Sequence, residues 1–303
     1  MGRTNVLFDI ITKIKSKKNH KIEFIWTSID ESHYNFSWRK FKSLANLMGC
    51  DFIYSPQVKE NMKLPDVDLI ISINFPNMIP SWFFKRFKFG ILNVHAGDLP
   101  KYRGNACPNW AILNNEKFIG LTIHKIDEGL DSGPIFCKKY FRLKNCTYIN
   151  EVYEWIKEST PELLFDAIKK IESGIKPKVQ SGKVLRTFPR KPEDSRLFFK
   201  FGYDWNYRLI RASSKPLNGA FCYLNNNLKK KLIIWEAEPI KKRDFKYDFF
   251  AINGQIIDTD KLSKSFTISI DNKPLQIKDF NFDGKNMEES FKIISKSMKN
   301  RLS

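Results

Sequence analysis

Short apolar runs alternate with amphipathic stretches through the first two-thirds of the chain. The runs "KIEFIWTS" (21–28), "CDFIYSP" (50–56), "VDLIISI" (67–73) and "GILNVHAG" (90–97) are brief, rich in β-branched and aromatic residues, and bounded by turn formers. They read as buried strands. Between them, "SWRKFKSLANLMG" (37–49) has helical spacing and ends at Gly49, a natural stop. Near the start, Val6, Leu7, Ile10, Ile11 and Ile14 recur at helical intervals. "IGLTIHKI" and "GPIFCKKYF" form a further strand pair joined by a glycine-rich turn. A long helix is predicted from about Ile149 to Ser173, stopped by Gly174, with a kink or break at Pro161. Strands alternating with helices predict an α/β fold, a Rossmann-like open and mostly parallel sheet.

Beyond residue 180 the texture changes. "VLRTFPRKPED" (184–194) is a proline- and charge-rich connector. After it, "DWNYRLIRASS" reads as a helix capped by Asp204, followed by strand candidates "AFCYL", "KKLIIWEA", "FFAI", "SFTISI" and "PLQIKDF". The expected organisation is therefore 1–180 as a catalytic domain, 181–200 as a linker and 201–303 as a small β-rich C-terminal domain.

Composition narrows the class. With 303 residues the chain has room for two cores. No apolar window is long enough for a membrane span, and the N-terminal apolar cluster "VLFDII" is interrupted by Asp9; a cytoplasmic, soluble protein with no membrane partner is expected. Five scattered cysteines without a C-x-x-C pair argue against a disulfide framework, and the four histidines lack metal-motif spacing, so no metal site is expected. The net charge of +19 is spread along the chain and carried mainly by lysine. A diffuse lysine surface is a weak nucleic-acid signal, because bidentate recognition prefers arginine.

The candidate chemistry lies where "ILNVH" gives way to "AGDLPKYRG". Asn93 and His95 stand two residues apart on a strand and project from one face, at the strand end where open α/β sheets bind ligands. Asp131 sits between Gly129 and Gly133 on a tight turn. An amide, an imidazole and a carboxylate at one rim suit acyl transfer to an amine: His95 takes the amine's proton, Asn93 donates to the developing oxyanion, and Asp131 orients the imidazole. Each residue taken singly has a plain structural explanation.

Together they stand in "NVHAGDLPKYRG" (93–104), "NWAI" (109–112) and "GLTIHKIDEGLDSGPI" (120–135), and these segments resemble the signature of the folate-dependent formyltransferases. That family includes the methionyl-tRNA, glycinamide-ribonucleotide and sugar N-formyltransferases. The resemblance implies that Asn93, His95 and Asp131 are the catalytic trio and that N10-formyltetrahydrofolate is the formyl donor. It places the loop Gly97, Asp98, Leu99 and Pro100 on the folate site, together with Asp127 and the pterin-loop residues Phe75, Met78 and Ile79 of "NFPNMIP". Gly97 and Asp98 depart from the family's Ser and Leu, which implies adjusted cofactor contacts. Lys101, Arg103, Trp110 and His124 are the substrate-side candidates, His124 as a structural or substrate-lining residue.

The last hundred residues argue against the glycinamide-ribonucleotide branch. "RKPEDSRLFF", "YRLIRASSKPLNGAFCYLNNN" and "LIIW" look like the branch that formylates UDP-4-amino-4-deoxyarabinose, with a graded likeness to the tRNA branch. The expected acceptor is thus the amine of a nucleotide-diphosphate sugar, as in surface polysaccharide or lipopolysaccharide synthesis. Methionyl-tRNA is the alternative, and the sequence leaves a homodimer open. A different class, a non-catalytic basic nucleic-acid-binding protein, would have no use for the Asn–His–Asp set. Because the family opens with a strand and this chain begins at a turn, a strand upstream of Met1 is also expected.

Overall fold

The computed structural model describes residues 1–15, 19–28 and 37–303, and it divides into two units. The first comprises Met1–Cys107, Phe118–Arg142 and Tyr153–Pro189; the second comprises Pro108–Lys117, Leu143–Val152 and Arg190–Ser303.

In chain order the elements are α1 (Asn5–Lys15), β1 (Phe24–Thr27), α2 (Trp38–Met48), β2 (Asp51–Tyr54), β3 (Ile70–Ile73), α3 (Ser81–Phe84), β4 (Ile91–His95), β5 (Arg103–Gly104), α4 (Cys107–Leu113), β6 (Phe118–Lys125), β7 (Ile135–Arg142), α5 (Ile149–Glu172) and β8 (Arg186–Thr187). The helix over 37–49 forms as expected: Ser37 Oγ accepts from the Arg39 N–H. Gly49 closes it at φ +65°, its N–H turned back to the Ala45 and Asn46 carbonyls.

β3 and β4 run parallel, and β6 and β7 continue the sheet antiparallel, in the order β3-β4-β6-β7. β1 and β2 form a parallel pair of their own. Met1 and Gly2 occupy the place between β1 and β3: the Gly2 N–H donates to the Trp26 carbonyl, and the Met1 carbonyl accepts from the Ile73 N–H.

Alternation along β4 sorts its side chains between two apolar clusters. Leu92 and Val94 pack with Leu7, Ile10 and Ile11 of α1, Phe41 of α2, and Leu164 and Ile168 of α5. Ile91 packs on the opposite side with Trp26, Phe83, Phe84 and Phe87. Asn93 and His95 share the face of Ile91, as a period of two requires. Leu121 and Ile123 of β6 join the first cluster, which leaves Thr122 and His124 on the same face as Asn93 and His95. The antiparallel register then sets Asn93 opposite His124 and His95 opposite Thr122.

Of the kink or break expected at Pro161 the break does not occur: α5 is one continuous helix, and beside the proline Thr160 Oγ1 donates to the Ile156 carbonyl. After α5 the chain returns to this unit. β8 pairs with β5, so residues 181–189, expected in a linker, lie in the first unit.

In the second unit, α6 (Gly202–Ser213), β9 (Ala220–Leu224), β10 (Asn227–Pro239), β11 (Ile256–Asp260), β12 (Ser265–Ile270), β13 (Lys273–Phe282) and α7 (Met287–Ile294) follow. The five strands form an antiparallel sheet in the order β11-β12-β13-β10-β9, with α6 on β10 and α7 on β13. Two expectations are corrected. "FFAI" forms no strand, and its Phe250 is 97% exposed. Asp204 lies inside α6 rather than capping it, and the N-terminal turn is met by Asp271, whose Oδ2 accepts from the Tyr203 N–H. Among the described residues no helix is long and apolar enough to cross a membrane.

Candidate active site

Three segments of the first unit converge at the end of β4: the strand itself, its neighbour β6, and the turn 126–134 that follows β6. Asp131 stands on that turn with φ +49°, in the left-handed region that aspartate tolerates better than most residues. Its Oδ2 accepts from the Gly104 N–H at 2.9 Å and lies 3.5 Å from His95 Nδ1; its Oδ1 lies 3.6 Å from His124 Nε2. The sequence-predicted trio is therefore brought together. His124 joins it as a fourth member.

The hydrogen bonds fix protons on both rings. His95 Nε2 is 2.6 Å from the Tyr102 carbonyl oxygen, which can only accept, so Nε2 carries a hydrogen. Its Nδ1 faces a carboxylate, which is favourable only if Nδ1 is protonated too. Burial disfavours the charged ring, but the Cys107 contact and the Asp131 charge outweigh it, and the His95 pKa is raised above 6.5. Burial likewise opposes ionisation of Asp131. The bond with His124, the charges of both imidazoles and the Gly104 N–H prevail, and its pKa falls to about 2. The two side chains are nearly excluded from water, at 8% and 13% exposure.

His124 Nδ1 donates to the Lys125 carbonyl at 3.0 Å, and its Nε2 stands between Asn93 Nδ2 at 3.2 Å and Asp131 Oδ1 at 3.6 Å. The Asn93 amide is thereby held against the ring. In this geometry His124 positions Asn93.

The loop after β4 is held from below. The Thr122 hydroxyl donates to the Gly97 carbonyl at 2.7 Å. A Cβ at Gly97 would stand 2.5 Å from His95 Nε2 and 2.6 Å from the Tyr102 oxygen, so the imidazole occupies the space that a side chain would need. Asp98 Oδ1 accepts from Lys138 Nζ at 2.8 Å and from the Tyr140 hydroxyl at 2.9 Å, and Lys138 also binds the Leu99 carbonyl. Leu99 is fully buried, and the Leu99–Pro100 peptide is cis. Asp127, on the turn, accepts from the Ser132 hydroxyl at 2.6 Å and the Gly129 N–H at 3.1 Å.

The remaining candidates are placed less uniformly. Ile79 belongs to the apolar cluster around Trp26, Phe75 meets the Trp26 ring edge-on at 5.6 Å, and Met78 is exposed. Lys101 is exposed. Arg103 is partly buried and bonded to Gln180. The rim is built from first-unit residues alone, and Trp110 on α4 belongs to the second unit. Cys107 and Tyr102 were not singled out by the sequence. Cys107 Sγ donates to the Tyr102 carbonyl at 3.1 Å and lies 3.7 Å from His95 Nε2. Tyr102 acts through its carbonyl, which no side-chain pattern reveals. Among the described residues no cluster of His, Cys, Asp and Glu has a metal-binding arrangement.

The Formyl transferase family model matches residues 46–168, which include the whole rim. The chain is 33% identical over 214 residues to methionyl-tRNA formyltransferase of Clostridium tetani, covering 67% of this chain and 63% of that protein. It is 30% identical over 215 residues to the same enzyme of Thermodesulfovibrio yellowstonii, covering 68% and 70%. The bifunctional polymyxin resistance protein ArnA of Wigglesworthia glossinidia brevipalpis is 28% identical over 242 residues, 73% of this chain and 35% of ArnA. The chain thus spans less than two-thirds of the length of two of these three relatives. The crystal structure of WlaRD, a sugar 3N-formyl transferase, shares the fold across 94% of this chain and 97% of that one, with TM-score 0.65 at 19% identity. The chain belongs to the folate-dependent formyltransferase family.

Proposed function

We propose that the protein transfers a formyl group from N10-formyltetrahydrofolate to the amine of a nucleotide-linked amino sugar. The observation that carries the transfer chemistry is the buried rim itself: an imidazole, an amide and a carboxylate gathered at the end of one strand. This donor set suits a formyl group, because the folate supplies a carbonyl whose oxygen gains negative charge as the amine attacks. Asn93 donates an amide hydrogen to that oxygen. Both nitrogens of His95 are engaged in the resting site, Nε2 at the Tyr102 carbonyl and Nδ1 beside Asp131, so one of these contacts gives way when His95 serves the transfer. As the amine nitrogen bonds to the formyl carbon, the bond from that carbon to the folate nitrogen breaks. The proton leaving the amine equals the proton gained by the departing folate nitrogen, so no net base is consumed; His95 takes up the first and returns the second.

For the acceptor, two observations support a sugar nucleotide. The likeness to WlaRD, a sugar 3N-formyl transferase whose structure was solved with dTDP and 5-N-formyl-THF, extends over 94% of this chain, and the segments "RKPEDSRLFF" and "LIIW" resemble the branch that formylates UDP-4-amino-4-deoxyarabinose. The methionyl-tRNA formyltransferases among the relatives favour the second reading, transfer to methionyl-tRNA. Formyl transfer to UDP- and dTDP-linked 3-amino and 4-amino sugars and to methionyl-tRNA, compared across a salt series, separates them. A two-phosphate ligand gives a shallow salt dependence and a polyanion a steep one. Efficient tRNA formylation with a steep slope, and none on any sugar nucleotide, would reverse the ranking.

A further inference from the structure

Gln180 follows α5 and lies outside every motif of the sequence. Its side-chain amide makes four hydrogen bonds within the first unit. Nε2 donates to the carbonyls of Asp131 and Gly133, both at 2.8 Å, and Oε1 accepts from Arg103 Nε at 3.2 Å and Nη2 at 2.8 Å. Two donors and two lone pairs are the full capacity of an amide. Exchanging the oxygen and nitrogen would set an acceptor against two carbonyls and donors against a guanidinium, so only one orientation is tenable. The main chain delivers the residue there, since Ile135 and Lys178 exchange N–H···O bonds of 2.7 and 2.8 Å two residues earlier.

We propose that Gln180 is a positioning residue for the catalytic carboxylate: it holds the Asp131 main chain in the conformation from which the carboxylate reaches both histidines, and it ties that turn to Arg103. The proposal rests on the assignment of Asp131 above. A left-handed non-glycine residue persists only where its surroundings hold it, and here two carbonyls of one tight turn are gripped by a single amide. Without that grip the carboxylate is free to drift from His95. The titratable groups facing His95 are Asp131, Cys107 and His124, and of these only Asp131 stands on the turn that Gln180 binds.

The test is the titration of individual histidine rings by NMR in the wild-type protein and in Gln180→Met, which keeps the length and removes all four bonds. His20, paired with Glu172 at 3.0 Å, is the internal control. The expected result is a fall of about one unit in the His95 midpoint, since an opposite charge is withdrawn, with His20 unmoved. Under the transfer reading, kcat falls about 10²-fold through misplacement while the KM for the folate stays near wild type. Should the methionine variant not fold, Gln180→Asn, one carbon too short to bridge both partners, is expected to lower the midpoint in the same direction. An unchanged His95 midpoint in either folded variant overturns the proposal. The NMR measurement needs no acceptor, so failure of formyl transfer by the wild type would undo the functional reading and leave this test intact.

Discussion

Asp131 and His95 face each other across 3.5 Å, carboxylate Oδ2 to imidazole Nδ1, both nearly excluded from water. The two groups are shifted in opposite senses against their burial, Asp131 downward by His124 and then His95, His95 upward by Cys107 and then Asp131, and each shift has its own pH window. Asp131 is depressed from 3.8 to about 2, so its contribution to stability is present above pH 3.8 and is lost as pH falls toward 2. His95 is raised above 6.5, so its contribution is complete below 6.5 and is lost as pH rises through its folded value. Asp131→Asn is therefore expected to destabilise most between about pH 4 and 6.5, by about 2 kcal/mol. Urea unfolding across pH 4–9 measures this, and a destabilisation that is constant with pH would contradict it.

Gly97→Ala is expected to push the imidazole out of its seat against the Tyr102 carbonyl, because the new Cβ would stand 2.5 Å from Nε2. Overpacking costs about 1–3 kcal/mol. Activity should fall more than a melting curve alone would suggest, and the His95 ring signals should shift. Unchanged ring signals would show that the site relaxes at no cost to the histidine.

Asp98 and Tyr140 give an optical handle on the loop. Burial first, then the hydrogen bond and charge of Asp98, push the Tyr140 phenol up to about 12. Asp98→Asn should move that titration downward, as read by ultraviolet absorbance, and should raise the KM for the folate more than it lowers kcat. A phenol titration that does not move would remove Asp98 from the account of this loop.

His124→Ala should behave as a weaker copy of Asn93→Ala. Loss of an oxyanion donor costs about 10²–10³-fold in rate. Removing the ring that orients the amide should cost part of that, with the loss in kcat. Full activity in a folded His124→Ala protein would show that Asn93 needs no orientation.

Much of this site was legible in the chain because it depends on local periodicity. Asn93 and His95 share a face through a period of two, and Asp131 lies in a motif with glycines at fixed offsets. The partnership of Asn93 with His124 was not legible, because it depends on β6 running antiparallel beside β4 and on its register. The Gln180 clamp and the Tyr102 carbonyl are contacts of the main chain with distant segments, and no residue pattern announces them. Elsewhere propensity misled. "FFAI" looks like a strand yet finds no ladder partner, and Pro161 lies in a helix whose flanking residues Leu163, Leu164 and Ala167 are fixed by the core. In α6 the helix start is met by Asp271, far along the chain, rather than by the nearby Asp204.

Amine-dependent release of tetrahydrofolate from N10-formyltetrahydrofolate, measured for the wild type beside folded His95→Ala and Asp131→Ala proteins, tests the central claim most directly. The account predicts turnover by the wild type with at least one of the amino-sugar nucleotides or methionyl-tRNA, and a loss of about 10²–10⁴-fold in each variant. Wild-type turnover that persists undiminished in folded His95→Ala would contradict it.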